Sequence, residues 1–477
     1  MIEIDMPKPY QPTTKDLLDF AQTCGLVEEK ENFILLALST LNKVSCGVES
    51  VSGSGKSVLT DILMMLIDPS RVYRLGLTSN TATVYDYEAV NSADILYVEE
   101  LQKALNNNNP IMVEVLKNIT EGKNITRTVY DSTMKQNIKQ TISGNLGLVY
   151  SLALENKTKK DDELDRRVIT FMTDISQQQN RRVLKYIGKT RFKKSRLKIQ
   201  TDKTTEQLKQ HVNMVLDLAK ERVENPFSEF IAEKVPVPFV KVRSYITHYF
   251  NLMESCTKYH YKERPKYENM YFTTLQDVFA IHKLYGKMFN QKIHNLPQLG
   301  IEIMELFDIE RAEKLGWKKN TEREQQALFV DEEGKDKVYL DVTKIHKELK
   351  KVGLLLKYKL IRDQCEELVE AGFLGKEQSG KRGFYFKTDE VEEFEDSFDF
   401  PNCLQAGIKN MKESYPKHYE DWLNLQMDEK GRFPLYHPIT GETIYLDELK
   451  IIKKEEKPKE EKLKPGTLVV TEEAIEK

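Results

Sequence analysis

The sequence has 477 residues, of which 40% are hydrophobic and 31% are charged, and its formal net charge is −3. This balance is typical of a globular chain with several packed domains, and it excludes the disordered and fibrous classes. No apolar run reaches the ~18 residues of a membrane span, and the N-terminus carries no apolar signal segment, so we expect a cytoplasmic protein. The five cysteines are scattered without a CxxC pair, which favours a reducing compartment over a zinc site or a disulfide framework.

The N-terminal part of the chain alternates between helical and extended patterns. Residues 14–42 predict two helical runs separated by Gly25. Residues 44–48 (VSCGV) form a short apolar run typical of a buried strand, and residues 58–66 predict an apolar helix. The segment between them, ESVSGSGKS, therefore connects a buried strand to a helix.

That connection is the P-loop pattern GxxxxGK[ST], in which Ser50 stands where the first Gly is usual. Glycines allow backbone N–H groups to wrap phosphates, the lysine reaches the β- and γ-phosphates, and the hydroxyl of the last residue binds Mg²⁺. Because serine tolerates fewer backbone conformations than glycine, Ser50 weakens the match slightly. We predict ATP and Mg²⁺ as cofactors, with Ser57 as a metal ligand and a nucleotide site formed by Ser52, Gly53, Ser54, Gly55, Lys56, Ser57 and Val58.

Two adjacent acids, Glu99 and Glu100, directly follow the apolar run at 95–98 (ILYV). A Walker B motif requires an acid for the Mg²⁺ shell and one that orients and deprotonates the attacking water. We assign Glu99 to the metal and Glu100 to the water. The alternative is a pair of ordinary surface acids.

Residues 125–130 and 138–142 are β-rich runs that flank a polar turn, which predicts a hairpin. Arg127, Lys135 and Lys139 lie on or near this hairpin, and the neighbouring Tyr130 could pack against a sugar or base. We predict that these basic residues bind DNA. A plain surface hairpin is the alternative.

Residues 147–154 and 168–172 predict a third and a fourth buried strand. Strands that alternate with helices after a P-loop indicate a parallel α/β core. Asn156, just after the third strand, is a candidate for holding the attacking water, and Glu155 competes with it for that role.

Arg166 precedes the fourth strand. An arginine at such a position can reach across a subunit boundary to the γ-phosphate of a neighbour, as an arginine finger. The alternative is an ordinary ion pair with Asp162 or Asp165.

Charged residues are unevenly placed along the chain. Residues 181–198 contain nine basic residues and no acid, and such uncompensated charge favours contact with a phosphate backbone. We therefore expect Lys193, Lys194 and Arg196 to bind DNA, the alternative being lysines that only solvate a linker. The acidic run at 389–399 and the mixed run at 453–464 are most simply solvated surface.

The C-terminal half changes character twice. Residues from about 205 to 308 predict a helical region, and residues 338–388 predict the order strand, helix, helix, hairpin, which is that of a winged helix. Lys381 and Arg382 in the wing would contact DNA phosphates, although many winged helices bind protein instead.

The order of these parts resembles that of an AAA+ ATPase, and more narrowly the MCM-like replicative helicases and related ATPases of mobile elements that accompany primases. The likeness covers roughly residues 15–390 and is stronger in motif order than in residue identity. There is no zinc-binding N-terminal domain and no primase motif, so a primase or initiator would have to be a separate polypeptide. The segments that carry the resemblance are GSGKS (53–57), ILYVEE (95–100), EGKNITRTVYD (121–131), DELDRRVITF (162–171), VKVRSYITHYFNLMESCTKYHYKERP (240–265) and YFTTLQDVFAIHKLYGKMF (271–289).

The resemblance implies an α/β fold with an AAA+ P-loop core and a parallel sheet, an α-helical lid domain and a C-terminal winged helix. It also implies that Arg243 in the lid serves as sensor 2. The implied partners are further copies of the chain in a ring, most simply a hexamer, and single-stranded DNA in the channel, with duplex DNA as an alternative. The implied domains are an N-terminal helical segment (1–43), the ATPase core (44–200), the lid (201–318), the winged helix (319–390) and a charged C-terminal region (391–477).

The sequence therefore predicts an ATP-dependent DNA helicase or translocase that serves the replication of a mobile element or virus. One alternative is a helicase loader or protein-remodelling ATPase, against which the basic hairpin argues. Another is a winged-helix regulator with an ATP switch, against which rapid DNA-stimulated turnover would argue.

Overall fold

The structure is a computed structural model, and it describes residues 11–75, 86–102, 110–131, 135–153, 162–192, 203–236, 241–294, 298–309, 328–330, 336–351, 356–379, 382–388, 394 and 398–448. Within these ranges the α-helices are α1 (Thr14–Thr23), α2 (Lys30–Leu41), α3 (Lys56–Met64), α4 (Tyr87–Ser92), α5 (Pro110–Thr120), α6 (Asp162–Arg167), α7 (Gln177–Phe192), α8 (Lys203–Asp217), α9 (Ser228–Lys234), α10 (Val242–Tyr259), α11 (Leu275–Ile293), α12 (Gln298–Met304), α13 (Val342–Lys351), α14 (Tyr358–Glu370), α15 (Phe400–Ser414) and α16 (Tyr419–Asn424).

The strands within the same ranges form one larger sheet and several small ones. They are β1 (Cys46–Ser50), β2 (Val72–Leu75), β3 (Ile95–Val98), β4 (Ile125–Asp131), β5 (Gln136–Ile142), β6 (Gly147–Ala153), β7 (Ile169–Met172), β8 (Arg222–Glu224), β9 (Lys266–Tyr267), β10 (Met270–Phe272), β11 (Leu328–Val330), β12 (Asp336–Val338), β13 (Leu374–Ser379), β14 (Arg382–Lys387), β15 (Pro434–Tyr436) and β16 (Thr443–Tyr445).

The central sheet has five strands in the order β2-β3-β6-β1-β7, and all of its pairs are parallel. The predicted parallel α/β core is therefore confirmed. The prediction omitted β2, whose first three residues are not buried, so that it lacks the apolar run that marks the other four strands. Strand β6 lies between β1 and β3, and all three run in the same direction. Their carboxyl ends therefore meet at one edge of the sheet.

Helices cover both faces of this sheet. On one face, α2 and α3 pack over Cys46 and Val48 of β1 and Tyr97 of β3, in a core that extends into the helical region. On the other face, Leu148 and Tyr150 of β6 pack in a separate core with residues of α5 and α6. This burial explains why β1, β3 and β6 are buried along their whole length, as strands covered on both sides are.

The helical region after residue 203 packs onto the α2 side of the core. Helix α10 lies against α2 and α11, and the buried residues of all three belong to one hydrophobic cluster. The sequence predicted only helices here, but β8, β10 and β9 form a small three-stranded sheet within it. These strands have two or three residues each, too few to give a periodic signal.

The segment 398–448 is folded into the same hydrophobic cluster rather than forming a purely charged surface. Phe400, Cys403, Leu404 and Met411 line one side of α15 at helical spacing, and all four are buried. The Oγ1 hydroxyl of Thr14 donates to the carbonyl oxygen of Pro438 at 2.8 Å. The sequence analysis assigned this helix to the charged C-terminal region, although only Lys409 is charged among residues 400–411.

Residues 336–387 pack together with α12 in a separate hydrophobic core. Helices α13 and α14 are followed by the β13–β14 hairpin, and Leu340 forms an isolated bridge with Tyr385 of that hairpin. The order strand, helix, helix, hairpin follows the prediction. The winged-helix and lid assignments and the domain boundaries stay predictions.

One buried carboxylate in the helical region, that of Asp277, accepts several hydrogen bonds. Asp277, which has no exposed surface, accepts bonds from the Arg264 guanidinium at 2.7 to 3.0 Å, from the Thr257 hydroxyl at 3.2 Å and from the Thr274 backbone at 3.0 Å. Burial pushes the pKa of Asp277 upward, but the guanidinium outweighs burial and the pKa lies below its usual value. Thr274 and Asp277 also form the capping box that starts α11.

Candidate functional site

The loop between β1 and α3 bends through two glycines in the left-handed region. Gly53 has a φ of 78° and Gly55 a φ of 92°, conformations that cost glycine little and other residues more. Ser50 is the last residue of β1, pairs with Ala153 and has no positive φ. The serine that departs from the P-loop pattern therefore stands where the backbone does not require glycine.

The loop presents hydrogen-bond donors without acceptors. Within the described residues, the backbone N–H groups of Gly53, Gly55 and Ser57 donate to no protein atom, and the buried Oγ of Ser54 has no partner. A Cβ built on Gly53 or Gly55 would meet no atom within 4 Å, so open space lies beside the loop. Unpaired donors beside open space at a helix N-terminus fit the phosphates of a nucleotide.

Lys56, the first residue of α3, folds back onto the loop. Its ammonium donates to the carbonyl oxygens of Ser50 at 3.1 Å and Val51 at 2.6 Å, and the side chain is buried. Burial lowers the pKa of the Lys56 amine. A phosphate beside the loop would offer this cation a charged acceptor in place of two neutral carbonyls, and charge-assisted bonds are the stronger ones.

The two predicted Walker B acids lie at the same edge of the sheet. Glu99 and Glu100 follow the buried strand β3 and are themselves exposed. Glu99 pairs with Arg74 of β2 at 3.8 Å, a contact that the sequence analysis missed because β2 carried no strand signal. A hydrogen bond of 2.8 Å between Tyr97 and Thr60 ties β3 to the P-loop helix.

The strand β6 links the P-loop to these acids. The Ser151 hydroxyl of β6 donates to the Glu99 carbonyl oxygen, and Gln102 accepts from the backbone N–H of Ala153 at 3.2 Å. Asn156, proposed to hold the attacking water, lies outside the described residues, as does its competitor Glu155. No sequence motif indicates Gln102, because a glutamine after a strand belongs to no known pattern.

A buried carboxylate that the sequence analysis also missed lies next to the P-loop. Glu49 of β1 is buried and accepts from the Tyr150 hydroxyl at 2.6 Å. Burial first, and then Glu49, raises the pKa of Tyr150 well above its ordinary value. Tyr150 also packs over Gly47, where an added Cβ would lie 2.3 Å from the ring. The sequence signal was an acid directly after the short apolar run at 44–48.

Arg166 and the P-loop lie at opposite ends of the sheet. Arg166 precedes β7, whose first residue Ile169 pairs with Cys46 at the start of β1, whereas the P-loop follows Ser50 at its end. Four residues of strand separate these positions by about 13 Å. Arg166 is exposed and forms no ion pair within the described residues. Arg166 therefore lies away from the P-loop of its own chain.

The adjacent Arg167 is bound within the chain. Its guanidinium pairs with Glu163 at 2.5 Å and with Glu121, and it donates to the Lys117 carbonyl at 3.2 Å. Of two successive arginines, therefore, one is tied to the protein and the other is exposed.

Arg243 lies on the same side of the molecule as Arg166. It is exposed near the start of α10, which packs against α6. His248, five residues further along α10, contacts the Arg166 backbone, and burial followed by Lys292 lowers the pKa of His248 to about 3. Five helical residues correspond to about 7.5 Å along the axis. The structure thus brings the two predicted arginines to one region, remote from the P-loop of their own chain.

The predicted hairpin forms, with β4 and β5 paired over their full length. Tyr130, which is 63% exposed, and Lys139, which faces Thr128, lie on one face, because alternate residues of a strand share a face. Arg127, opposite Gln140, lies on the other face and is only partly exposed. Lys135 is exposed at the turn with a φ of 50°. The three predicted DNA-binding residues therefore do not form one surface.

The basic run begins on a helix that the sequence analysis did not predict. Helix α7 exposes Arg181, Arg182, Lys185, Lys189 and Arg191, with no acid along its length. The periodicity was hidden because its mean hydropathy is low and its inward positions include Gln179. The residues predicted to bind DNA beyond this helix, Lys193, Lys194 and Arg196, lie outside the described residues.

The remaining predicted DNA contacts are in the β13–β14 hairpin. Lys381 lies outside the described residues, and the structure describes only the backbone of Arg382, which pairs with Ser379. These two predictions stay untested.

Side chains for a metal ion are few at this edge of the sheet. The part of the chain that the structure describes contains no group of three or more His, Cys, Asp or Glu residues placed to bind a metal. Ser57 and Glu99 could supply two ligands, and Mg²⁺ commonly takes one or two protein ligands and completes its shell with phosphates and water.

None of the described helices has the length and apolar character needed to cross a membrane.

Comparison with known proteins yields little. No family model matches this sequence, and no curated protein matches it. Among solved structures, the chain is similar to a presumed ATPase of Cytophaga hutchinsonii, with 12% identity, 57% of this chain and 84% of the other covered, and a TM-score of 0.35. A likeness this distant does not identify the function of this chain.

Proposed function

We propose that this protein is a Mg²⁺-dependent ATPase that works on DNA as a helicase or translocase, in an oligomeric ring. The observation that carries the proposal is the loop Gly53–Ser57, with its unpaired backbone donors and its lysine, at the same sheet edge as Glu99 and Glu100. Phosphate-binding donors and a pair of acids at one edge are the requirements for phosphoryl transfer to water.

The loop would bind the nucleotide through its backbone. The N–H groups of Gly53, Gly55 and Ser57 would donate to phosphate oxygens, and Lys56 would exchange its carbonyl partners for the β- and γ-phosphates. When bound, Mg²⁺ neutralises charge that develops on the phosphates during transfer. The Ser57 hydroxyl and the Glu99 carboxylate are the groups that would hold it.

Glu100 would act on the attacking water. Its carboxylate follows the one assigned to the metal and can orient a water and accept its proton. Arg74 lies 3.8 Å from Glu99 and would have to yield when Glu99 turns to the metal, which makes Arg74 a competitor for that carboxylate.

Arg166 and Arg243 support the oligomer. Both are exposed. Arg166 lies near the start of β7, and about 13 Å of strand separates that end of the sheet from the end where the P-loop of the same chain begins. An arginine finger stabilises charge on the transferred phosphoryl group. From this position the fingers would serve the nucleotide of a neighbouring copy, and the resemblance to AAA+ proteins makes a hexameric ring the simplest arrangement.

Two basic surfaces support DNA as the substrate. The hairpin face with Tyr130 and Lys139 combines an exposed ring with a cation, which suits stacking and phosphate contact with single-stranded DNA. Helix α7 adds exposed basic residues without an acid. Replication of a mobile element or virus, with a separate primase or initiator, follows from the family resemblance alone.

The proposal is tested by Lys56→Ala, measured by ATP binding and DNA-stimulated hydrolysis. We expect nucleotide binding to be lost, because the main cation on the β- and γ-phosphates is removed, while the melting temperature stays close to that of the parent. The exposed Lys417→Ala serves as control and should bind ATP normally. ATP binding by Lys56→Ala at the parental affinity would show that the nucleotide site lies elsewhere.

A further inference from the structure

Within the part of the chain that the structure describes, three buried oxygen atoms without a hydrogen-bond partner lie on the P-loop and on the segment that follows β7. They are Oγ of Ser54, Oγ1 of Thr173 and Oε1 of Gln179. Thr173 is 6% and Gln179 5% exposed. Buried polar atoms normally have a partner, so this group indicates a ligand that contacts the chain at this place.

Thr173 is next to the start of the P-loop. It follows Met172, the last residue of β7, and Met172 pairs with Glu49 of β1. Continued in register, Thr173 would lie beside Ser50 at the strand spacing of about 4.8 Å. The chain then turns into α7, whose first turn contains Gln179.

The turn between α1 and α2 forms the other side of this place. Glu29 accepts from the Asp174 backbone at 2.7 Å, and Asn32 donates to the Met172 carbonyl at 2.8 Å. Glu28 and Glu29 both have a φ of 56°, an uncommon conformation for residues other than glycine. The turn is thus held against the end of β7, close to the loop that would bind the phosphates.

The Gln179 carboxamide has one satisfied end and one free end. Its Nε2 donates to the Val27 carbonyl oxygen at 2.8 Å. A carbonyl oxygen can only accept, so the end of the amide that faces Val27 is the NH₂ group and the free end is the oxygen. The missing partner of Gln179 must therefore be a hydrogen-bond donor.

We propose that Gln179 reads the base of the nucleotide, its Oε1 accepting a hydrogen bond from the 6-amino group of adenine. This inference rests on the proposed function. Adenine presents an N–H donor at position 6, whereas guanine and hypoxanthine present a carbonyl oxygen there. A 6-oxo group would set one acceptor against another and leave both without a partner, so Gln179 selects adenine nucleotides over 6-oxopurine nucleotides.

Access to the oxygen requires a small movement of α7, because Oε1 is covered in this arrangement. The helix is held to the turn by the Gln179–Val27 bond, by Tyr186 against Gly25 and by Arg182, 3.9 Å from Glu28. Much of its remaining surface is exposed, including Leu184 and Ile187. A helix held along one side by few contacts can tilt at low cost in packing.

The experiment compares the dissociation constants of ATP and ITP, measured by calorimetry without Mg²⁺ so that no turnover occurs. ITP differs from ATP in carrying the 6-oxo group. We expect the parent protein to bind ITP about tenfold more weakly than ATP, the factor that corresponds to ~1.4 kcal/mol. In Gln179→Leu, ATP should weaken and the ratio should fall to within about twofold, because neither base then finds a partner.

The neighbouring Gln178→Leu is the matched control, since Gln178 is exposed on the same helix, and it should keep the parental ratio. Equal binding of ATP and ITP by the parent protein would overturn the inference, and so would a Gln179→Leu protein that still discriminates. If Gln179→Leu does not fold, Gln179→Met removes the same acceptor with a flexible side chain and must give the same loss of discrimination. Failure of the proposed function gives a different result, because then neither nucleotide binds.

Discussion

The Arg264–Asp277 pair and the P-loop are both polar regions of the protein, and they differ in whether their polar groups have hydrogen-bond partners. Asp277 is fully buried and takes bonds from a guanidinium, a hydroxyl and a backbone N–H. Around Gly53 and Gly55, backbone N–H groups have no acceptor among the described residues, and open space lies beside them. Polar groups that have hydrogen-bond partners within the chain stabilise the fold, whereas those without such partners are available to a ligand.

The same contrast recurs between two successive residues. Arg167 is paired with Glu121 and Glu163, and Arg166 is exposed. If the contrast separates structural from functional groups, substitutions at the two positions must affect different quantities.

The largest effect is expected at Arg166. Arg166→Ala should lower ATP turnover about 10³–10⁵-fold, the contribution of an arginine finger, and leave ATP affinity and melting temperature nearly unchanged. Arg167→Ala should instead lower the melting temperature, because Glu121 and Glu163 lose their shared partner, with turnover per folded subunit retained. Steady-state ATPase assays and thermal melts of both variants measure this.

Mixing experiments separate action on a neighbour from action within one chain. Arg166→Ala and Lys56→Ala subunits, inactive alone, should recover activity when combined, because an intact P-loop can then face an intact arginine. No recovery at any ratio would argue against action between subunits. Arg243→Ala is expected to behave like Arg166→Ala.

The next largest effect concerns Glu100. Glu100→Gln should keep ATP binding and lose about 10²–10⁴-fold in hydrolysis, because an amide does not accept the proton from water. Single-turnover hydrolysis and equilibrium binding measure the two quantities separately. Hydrolysis at the parental rate would remove Glu100 from the mechanism.

On the structural side of the comparison, Asp277→Asn should cost about 3–5 kcal/mol of the free energy of unfolding, because it leaves the Arg264 charge buried without its partner. The ATP affinity of the folded fraction should not change. Urea denaturation gives the first quantity, and nucleotide titration under native conditions gives the second. A variant with parental stability would contradict the structural role of the pair.

Buried histidines predict a pH dependence. Burial lowers the pKa of His211 to about 4 and that of His248 to about 3, while unfolded histidine titrates near pH 6.5. Below about pH 6.5 the unfolded chain binds protons that the folded chain refuses, so stability falls as the pH decreases, by up to ~1.4 kcal/mol per pH unit for each ring. Urea midpoints between about pH 4.5 and about pH 7.5 measure the slope, and His248→Gln should make it shallower. A slope unchanged in that variant would show that other groups cause it.

The smallest effect is expected on the hairpin. Lys139→Ala should reduce the slope of log DNA affinity against log salt by about 0.7–0.9, and Tyr130→Ala should weaken binding to single strands with the slope unchanged. Arg127→Ala, on the opposite face, should change the slope less than Lys139→Ala. DNA titrations at several salt concentrations distinguish the three variants, and equal effects for Arg127 and Lys139 would contradict the two-faced hairpin.

The sequence predicted the fold where apolar patterns were long or motifs were dense. The P-loop strand and helix, the strand before Glu99 and the hairpin were found because glycine placement and continuous apolar runs reflect local physics. Ser50, which departs from the P-loop pattern, ends strand β1 and has no positive φ. The assignment of the nucleotide site stays a prediction.

Features that depend on partners distant in the chain were not found. Helix α7 was missed because its inward positions include Gln179 while Leu184 and Ile187 are exposed. The bond from Gln179 to Val27 joins positions that are 152 residues apart. The Arg74–Glu99 and Glu49–Tyr150 contacts join different strands, which no local pattern encodes. The placement of Arg166 and Arg243 away from the P-loop likewise required the order of the strands.

The bond between Thr14 and Pro438 has a consequence for how the chain is made. These residues are 424 positions apart, and at about 5–20 residues per second a ribosome needs about 20–85 s to deliver the second after the first. During this time helix α1 lacks its neighbours around Pro438, and its apolar face is covered only in part. The strands β1 to β7 are complete much earlier, so the central sheet and the loop Gly53–Ser57 can form while the helical region that packs against α2 is still being synthesised.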